Sequence, residues 1–262
     1  MATSAGSSKP DKRRFLTKSE VALMANFKTL KEDFATFLPQ DDWRERLEPY
    51  LGLSLRKILG PLFSLLLAPE PLLRWRAVSG FGVVAARLAE QDLESARVVL
   101  RRLMWNLNEE SGAIGWGAPE SMGESLARSP RLALEFNRIL ISYAQEPESG
   151  DGNFLDHEPL RQGAYWGMAR LAEVRPELVA AGLTTFLGLS GGGDTLNRAL
   201  GVWGLGSVGG KFETCQSTLR SLSDDQSVVV LYRNDRLSEY TISNLVGEAL
   251  AKIAKSGSSD PT

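Results

Sequence analysis

Through most of the chain, apolar residues recur at three- and four-residue spacing, as in Ala77, Phe81, Val84 and Leu88. That is the period of amphipathic helices with one buried stripe. Five of these helices carry the same unit, a bulky apolar residue followed by glycine: Phe81-Gly82, Met122-Gly123, Trp166-Gly167, Trp203-Gly204 and Val246-Gly247. Successive glycines lie 41, 44, 37 and 43 positions apart, and self-similarity of that length belongs to stacked helix pairs. Each glycine falls in the second helix of a pair, predicted over 72–90, 118–128, 157–174, 195–207 and 243–254. The first helices are predicted over 53–68, 92–106, 130–145, 176–188 and 211–222. A glycine inside a helix costs about 1 kcal/mol relative to alanine. Five at one register therefore point to close approach between second helices, with the preceding Phe, Met or Trp filling the core.

Local signals fix several ends. Ser129-Pro130 supplies an N-cap and a proline at the first helical position, and Asp194 caps the helix after three glycines. Pro176 closes one helix and opens the next. Residues 58–73 form the most apolar run, interrupted by Pro61, Pro69, Glu70 and Pro71, which reads as a buried helix ending near Ala68, a turn and a second helix. The last unit departs from the pattern. Val228 to Tyr232 and Arg236 to Thr241 are rich in β-branched and aromatic residues and flank Asn234-Asp235, which tolerate positive φ. They predict a β-hairpin at about 228–241, with Ser243 capping the final helix. It is expected to close the open end of the array, or alternatively to offer an edge to a partner strand. Residues 1–14 and 256–262 read as tails around one body over 15–255.

The helix from Leu73-Arg74-Trp75-Arg76-Ala77 to Gly80-Phe81-Gly82 resembles the second helix of HEAT repeats. The fold class expected is all-α: a right-handed α-solenoid of about five HEAT-like helix pairs, armadillo-type, after a helical N-terminal segment and with the hairpin before the last helix. Within that superfamily, the stretch RRLMWNLNEESGAIGWGAPESMGE (101–124) is similar to the signature of a HEAT-repeat family of sulfate-reducing and related anaerobic bacteria. The similarity extends over about 50–210 and includes GNFLDHEPL (152–160). It implies the fold and carries no activity with it.

Composition narrows the function classes. At 43% apolar and 24% charged residues the chain supports a sizeable core. A net charge of −2 provides no overall field for nucleic acid or an anionic membrane, and the apolar run is too short to span a bilayer. One cysteine, Cys215, cannot form an internal disulfide, and with no secretory leader visible the expected compartment is the cytoplasm.

Three clusters are candidate sites. The first is the connection from Leu107 to Ala118, about a dozen residues where two to eight are usual. Asn106, Asn108, Glu109 and Glu110 make it densely polar, and Trp105, Ile114 and Trp116 anchor it. These polar groups either cap neighbouring helices or bind a partner. The second cluster follows from helical geometry: Arg76, Arg161 and Arg198 lie six positions before their glycines, and Glu120 and Glu124 lie three before and one after theirs. All five share one helical face. Stacking would set the two glutamates between Arg76 and Arg161, as an ion-pair ladder or as a polar floor on the concave surface. The third is Asn153, Asp156, His157 and Glu158. His157 is the one histidine, too few for a di-iron site of the kind this fold can host, so no metal and no cofactor are expected. The run from Gly112 to Gly117 follows a helix and lacks a Gly-Lys-Ser/Thr step, which sets aside a nucleotide loop. Arginines interleaved with glutamates argue against nucleic acid.

The function expected is a non-enzymatic scaffold binding a protein partner on its concave face. Recognition would centre on 105–124, with Trp116 as anchor, Asn106, Asn108, Glu109 and Glu110 as hydrogen-bonding groups, Glu120, Glu124, Asn153 and His157 around them, and Arg76, Arg161 and Arg198 as anion partners. The alternative is an enzyme or carrier for a small molecule or metal, its pocket formed by the same loop over Glu120, Glu124 and His157. The sequence carries no sign of oligomeric state.

Overall fold

The computed structural model describes residues 26–108, 115–147, 152–209 and 212–257, with side chains up to residue 255. Glu109, Glu110, the 1–14 tail and the 258–262 end lie outside the described residues. Among those described are twelve α-helices and one hairpin. The N-terminal segment is α1 (Phe27–Phe37), α2 (Trp43–Leu47) and a 3-10 turn over Glu48–Gly52. Five pairs follow: α3 (Leu55–Leu65) with α4 (Pro71–Gln91), α5 (Leu93–Asn108) with α6 (Ala118–Arg128), and α7 (Pro130–Ser142) with α8 (Glu158–Val174). The fourth pair is a 3-10 helix (Pro176–Gly182) running into α9 (Leu183–Ser190), with α10 (Thr195–Val208). The fifth is α11 (Glu213–Ser221) and α12 (Ile242–Gly257), separated by β1 (Val228–Arg233) and β2 (Arg236–Thr241). The five expected pairs are thus present with helix ends within three residues of those predicted, the fourth first helix opening as a 3-10 helix.

The caps follow the sequence with one change. Ser129 accepts from the Leu132 amide, Asp194 from the Asn197 amide at 2.8 Å, and Glu70 from the Leu72 and Leu73 amides. The last helix is capped by Thr241, whose Oγ1 accepts from the Asn244 amide at 3.1 Å, and not by Ser243. The β-ladder runs on to Thr241 and the helix starts at Ile242, two residues earlier than a Ser243 cap required.

Second helices α4, α6, α8, α10 and α12 pack in succession as one layer, and the register glycines show how. A Cβ on Gly123 would lie 2.8 Å from the carbonyl carbon and oxygen of Gly167, and closer still to its Cα. There the backbones of α6 and α8 touch. A Cβ on Gly82 would strike the Glu124 side chain at 2.5 Å, again the next second helix. Close approach therefore holds for the first three units. In the fourth it takes another form, because Gly204 receives the Phe186 ring of its own pair's first helix. In the fifth it is absent: Gly247 is exposed, with nothing within 4 Å of a Cβ. One continuous core runs from Leu30 to Ile253.

The hairpin is where the architecture differs from expectation. Its two-residue turn, Asn234 (φ 51) and Asp235 (φ 61), is left-handed at both positions, as a tight hairpin of right-twisted strands needs. It does not cap the end of the array. It lies across the second-helix layer and reaches back to the N-terminal units: the Tyr232 hydroxyl meets Ser79 Oγ at 2.9 Å, and Asp235 pairs with Arg44 at 2.6 Å. A two-stranded hairpin is marginal alone. This one is held by the aromatic surface that the second helices present.

Candidate functional site

Four of the second helices turn a row of side chains toward the hairpin. α4 contributes Pro71, Arg74 and Trp75; α6, with the turn before it, contributes Trp116, Gly117 and Glu120. α8 contributes Pro159, Gln162, Gly163 and Trp166, and α10 contributes Leu196 and Leu200. Val230, Leu231, Tyr232 and Leu237 of the hairpin complete the enclosure, a pocket of about 380 Å³.

Its wall beside the hairpin is aromatic and rigid. The Tyr232 ring stacks on Trp75 with centroids 5.1 Å apart and planes 11° from parallel. Trp166 packs on Trp75 at 4.9 Å and donates its indole N–H to the Tyr232 carbonyl at 2.9 Å. Trp166 and Tyr232 also line a second, charged cavity of about 340 Å³, with Glu124, Arg128, Arg170, Glu173 and Arg233. The hairpin thus divides the face into an aromatic pocket and a polar one.

One acid and one base line the aromatic pocket. Glu120 sits in the first turn of α6, which Gly117 opens at φ 74. Its Oε2 is out of solvent and has no hydrogen-bond partner. The carboxyl lies over the bare Cα of Gly163, where a Cβ would come within 2.7 Å of it. Burial pushes the Glu120 carboxyl up to about 7, opposed weakly by its own backbone hydrogen bond and by Arg74. Arg74 and Glu120 form no ion pair within 4.0 Å.

Of the described residues singled out from sequence, Trp116 and Glu120 meet in this pocket; the others do not. The arginine–glutamate ladder is not formed. Arg76 is buried and donates to the Gln40 carbonyl at 2.9 Å, tying α4 to the end of α1. Arg161 donates to the Leu155 and Asp156 carbonyls at 2.6 and 3.1 Å, and Arg198 to those of Gly192 and Gly193 at 3.1 and 2.7 Å. Both hold the loop that leads into their own helix, and Arg198 also reaches the fifth unit, pairing with Asp225 at 3.1 Å and donating to Ser227 Oγ at 3.1 Å, so neither is left for Glu120 or Glu124. Glu124 is buried and pairs instead with Arg128 at 2.6 Å and Arg170 at 2.7 Å, at positions the register count did not include. His157 is exposed and packs against the Trp116 ring at 5.6 Å without lining the pocket. Asn153 bonds Ser142 Oγ at 3.0 Å, while Asn106 and Asn108 are the last turn of α5. No group of three or more His, Cys, Asp and Glu among the described residues is arranged to hold a metal ion.

Sequence reading missed Trp75, Trp166, Gln162, Leu196, Leu200 and the hairpin residues. A usable signal existed for Trp75, which stands at the same register as Trp116, seven before its glycine.

Solved structures align with this chain at low identity. A crystal structure of an engineered protein aligns with a TM-score of 0.51 at 12% identity, over 91% of this chain and 96% of that one. Computationally designed armadillo repeat proteins for modular peptide recognition align at 0.45 and 12%, over 86% and 92%. The archaeal HEAT-like repeats protein from Thermococcus onnurineus NA1 aligns at 0.38 and 14%, over 86% and 80%. No family model and no curated protein matches the chain. The fold is an α-solenoid of stacked helix pairs, as the succession of packed second helices shows. The narrower likeness to an anaerobe family rests on the 101–124 and 152–160 stretches alone. No helix among the described residues is long and apolar enough to cross a membrane.

Proposed function

We propose that this protein is a non-enzymatic binding protein whose ligand is a compact small molecule, held between the hairpin and the second helices. The observation that carries this reading is the hairpin's position. An uncovered inner face would suit an extended chain; covered by β1 and β2 it becomes a cavity of about 380 Å³, within the range of small-molecule sites. Apolar and aromatic walls with a few polar groups are the usual make-up of such sites. In this reading Trp116 and Glu120 touch the ligand, and the arginines and asparagines named from sequence hold loops. Binding is favoured over turnover because the pocket carries a single carboxyl, while His157 lies outside it and the Tyr232 hydroxyl is turned to Ser79.

The test is a thermal-shift screen of compact organic ligands against wild type and Val230→Trp. Val230 is 52% exposed on β1 and lines the pocket, so a larger ring there fills the space without entering the core. A ligand at about 100 times its Kd stabilises by about 2.7 kcal/mol. A rise in wild type that Val230→Trp abolishes supports the reading; the same rise in both proteins contradicts it.

A second reading, a scaffold for a protein partner, is favoured by a separate observation. Trp105 is 72% exposed and Val98 55%, seven residues apart on one face of α5. Leu134 of α7 is exposed as well, beside the Arg97–Glu135 bridge that joins the two helices at 2.6 Å. A photo-cross-linker at position 98 that captures one discrete protein in cells, and loses it with Trp105→Ala, would support this reading.

A further inference from the structure

Glu120 is the anomaly of the pocket. Buried carboxylates are normally hydrogen-bonded or paired, because an uncompensated one loses its hydration with no return. Glu124, one turn further along α6, shows the usual solution with two arginines. Glu120 lines the cavity, yet its Oε2 is closed off from solvent with neither a hydrogen bond nor an ion pair. Arg74 is the other charged side chain of the lining and is not in contact with it. From α8 the neighbouring groups are Gln162 and Gly163, and from the hairpin Tyr232. The carboxyl therefore stands in the cavity wall, its Oε2 closed off from solvent against the bare Cα of Gly163 and without a cationic partner.

We propose that the pocket takes the ammonium end of an alkyl- or arylalkylamine, with Glu120 as its counter-ion and the indoles of Trp75, Trp116 and Trp166 around its apolar stem. This deepens the small-molecule reading and rests on it. A cation supplies what the carboxylate lacks, and it restores at once the charge balance that burial opposes. Aromatic faces attract ammonium groups through their quadrupole, most strongly for Trp and in desolvated sites. A neutral ligand of the same shape fills the space but leaves the carboxyl unpaired. An anionic one is repelled. The bare Cα of Gly163 lets the carboxyl lie flush in the wall, leaving the cavity to the amine. The shared chemistry has two sources, a free amine or the lysine side chain of a partner segment.

The experiment is calorimetric titration at pH 8 with 2-phenylethylamine, its neutral isostere 2-phenylethanol and the anion phenylacetate, against wild type and Glu120→Gln. The amine is expected to bind about 10- to 100-fold more tightly than the alcohol, the range of a hydrogen bond to a charged group. Phenylacetate is expected not to bind, and Glu120→Gln to erase the preference for the amine. Amine affinity should also fall as the pH is lowered through about 7, where Glu120 takes up its proton. The comparison of isosteres on wild type requires no variant and so does not depend on how Glu120→Gln folds. Equal affinity for amine and alcohol overturns the ammonium assignment; if Val230→Trp then abolishes both, the small-molecule reading survives it. Binding of none of the three overturns the assignment, and a Val230→Trp-sensitive hit elsewhere in the screen would still uphold the pocket. A lysine tripeptide with blocked ends, run beside the amine, separates the two sources: tighter peptide binding assigns a partner's lysine, tighter amine binding a free metabolite.

Discussion

Alanine at Gly123 and at Gly247 makes the same chemical change in the same repeat unit, yet should move stability in opposite directions. Each substitution gains about 0.5–1 kcal/mol of helix propensity by removing glycine's extra backbone entropy. At Gly247 nothing lies within 4 Å of the new Cβ, so that gain stands. At Gly123 the Cβ would sit 2.8 Å from the Gly167 carbonyl carbon and oxygen, which no rotamer change can relieve because the obstacle is main chain. The helices α6 and α8 must separate, and each covers core that runs the length of the array. Overpacking costs about 1–3 kcal/mol, occasionally more, and a backbone clash belongs at the upper end, so Gly123→Ala should be destabilised by about 2–3 kcal/mol net. At about 2–4 °C per kcal/mol for a chain of this size, melting should fall by roughly 4–12 °C, while Gly247→Ala rises by about 1–4 °C. Differential scanning calorimetry with urea unfolding reads both. A Gly123→Ala melting temperature at or above that of wild type would refute the packing account of the register glycines.

Three further outcomes are expected. Burial raises Glu120 from 4.5 to about 7, so the folded state holds this proton more tightly than the unfolded chain. Its cost is absent below about pH 4.5 and grows as the pH rises to 7, up to about 3 kcal/mol less whatever partial hydration relieves. Glu120→Gln should therefore match wild type in urea at pH 4.5 and exceed it at pH 8; a constant difference would contradict the buried, unpaired carboxyl. Arg233→Ala removes the hairpin's contacts to Glu248 at 2.8 Å and Glu173 at 3.6 Å, and should speed amide exchange over 228–241 with the helices unchanged, unaltered exchange showing that the aromatic contacts suffice. Gly163→Ala pushes on the flexible end of Glu120; it should shift stability by under about 1 kcal/mol yet weaken amine binding as Glu120→Gln does, and an unchanged amine affinity would count against it.

The array was legible in the sequence because it is written in local terms. Ser129-Pro130, Asp194 and Pro176 mark ends through bonds within one turn, and the apolar stripes fix which face is buried. The hairpin's turn was legible for the same reason, Asn234-Asp235 tolerating the positive φ that its geometry needs. Its destination was not. Contacts such as Arg44 with Asp235 and Ser79 with Tyr232 join residues far apart in the chain, and no periodicity predicts where a strand pair will lie on a repeat surface. The arginine ladder failed on a related point. Helical register placed Arg161 and Glu120 on matching faces, but the Arg161 guanidinium found carbonyls of its own entry loop, and Arg76 found one at the end of α1.

The hairpin's placement also bears on how the fold is put to use. A solenoid's inner face is a repeating surface, and repetition suits partners that are themselves extended. Here that surface is interrupted by an element of the same chain, whose Tyr232 takes part in aromatic contacts with Trp75 and Trp166 that a bound peptide would otherwise make. What remains open is not a groove but two separate cavities, one lined by indoles and a lone carboxyl, the other by paired arginines and glutamates. In the charged cavity every carboxylate is already paired: Glu124 with Arg128 and Arg170, Glu173 with Arg233, and Asp235 with Arg44. A ligand entering it would have to break bonds before making its own. The aromatic cavity carries the opposite condition, a buried acid with its partner missing, and there a cationic ligand gains an interaction without displacing one. That asymmetry, rather than pocket size, is the reason to look for the ligand on the Glu120 side of the hairpin.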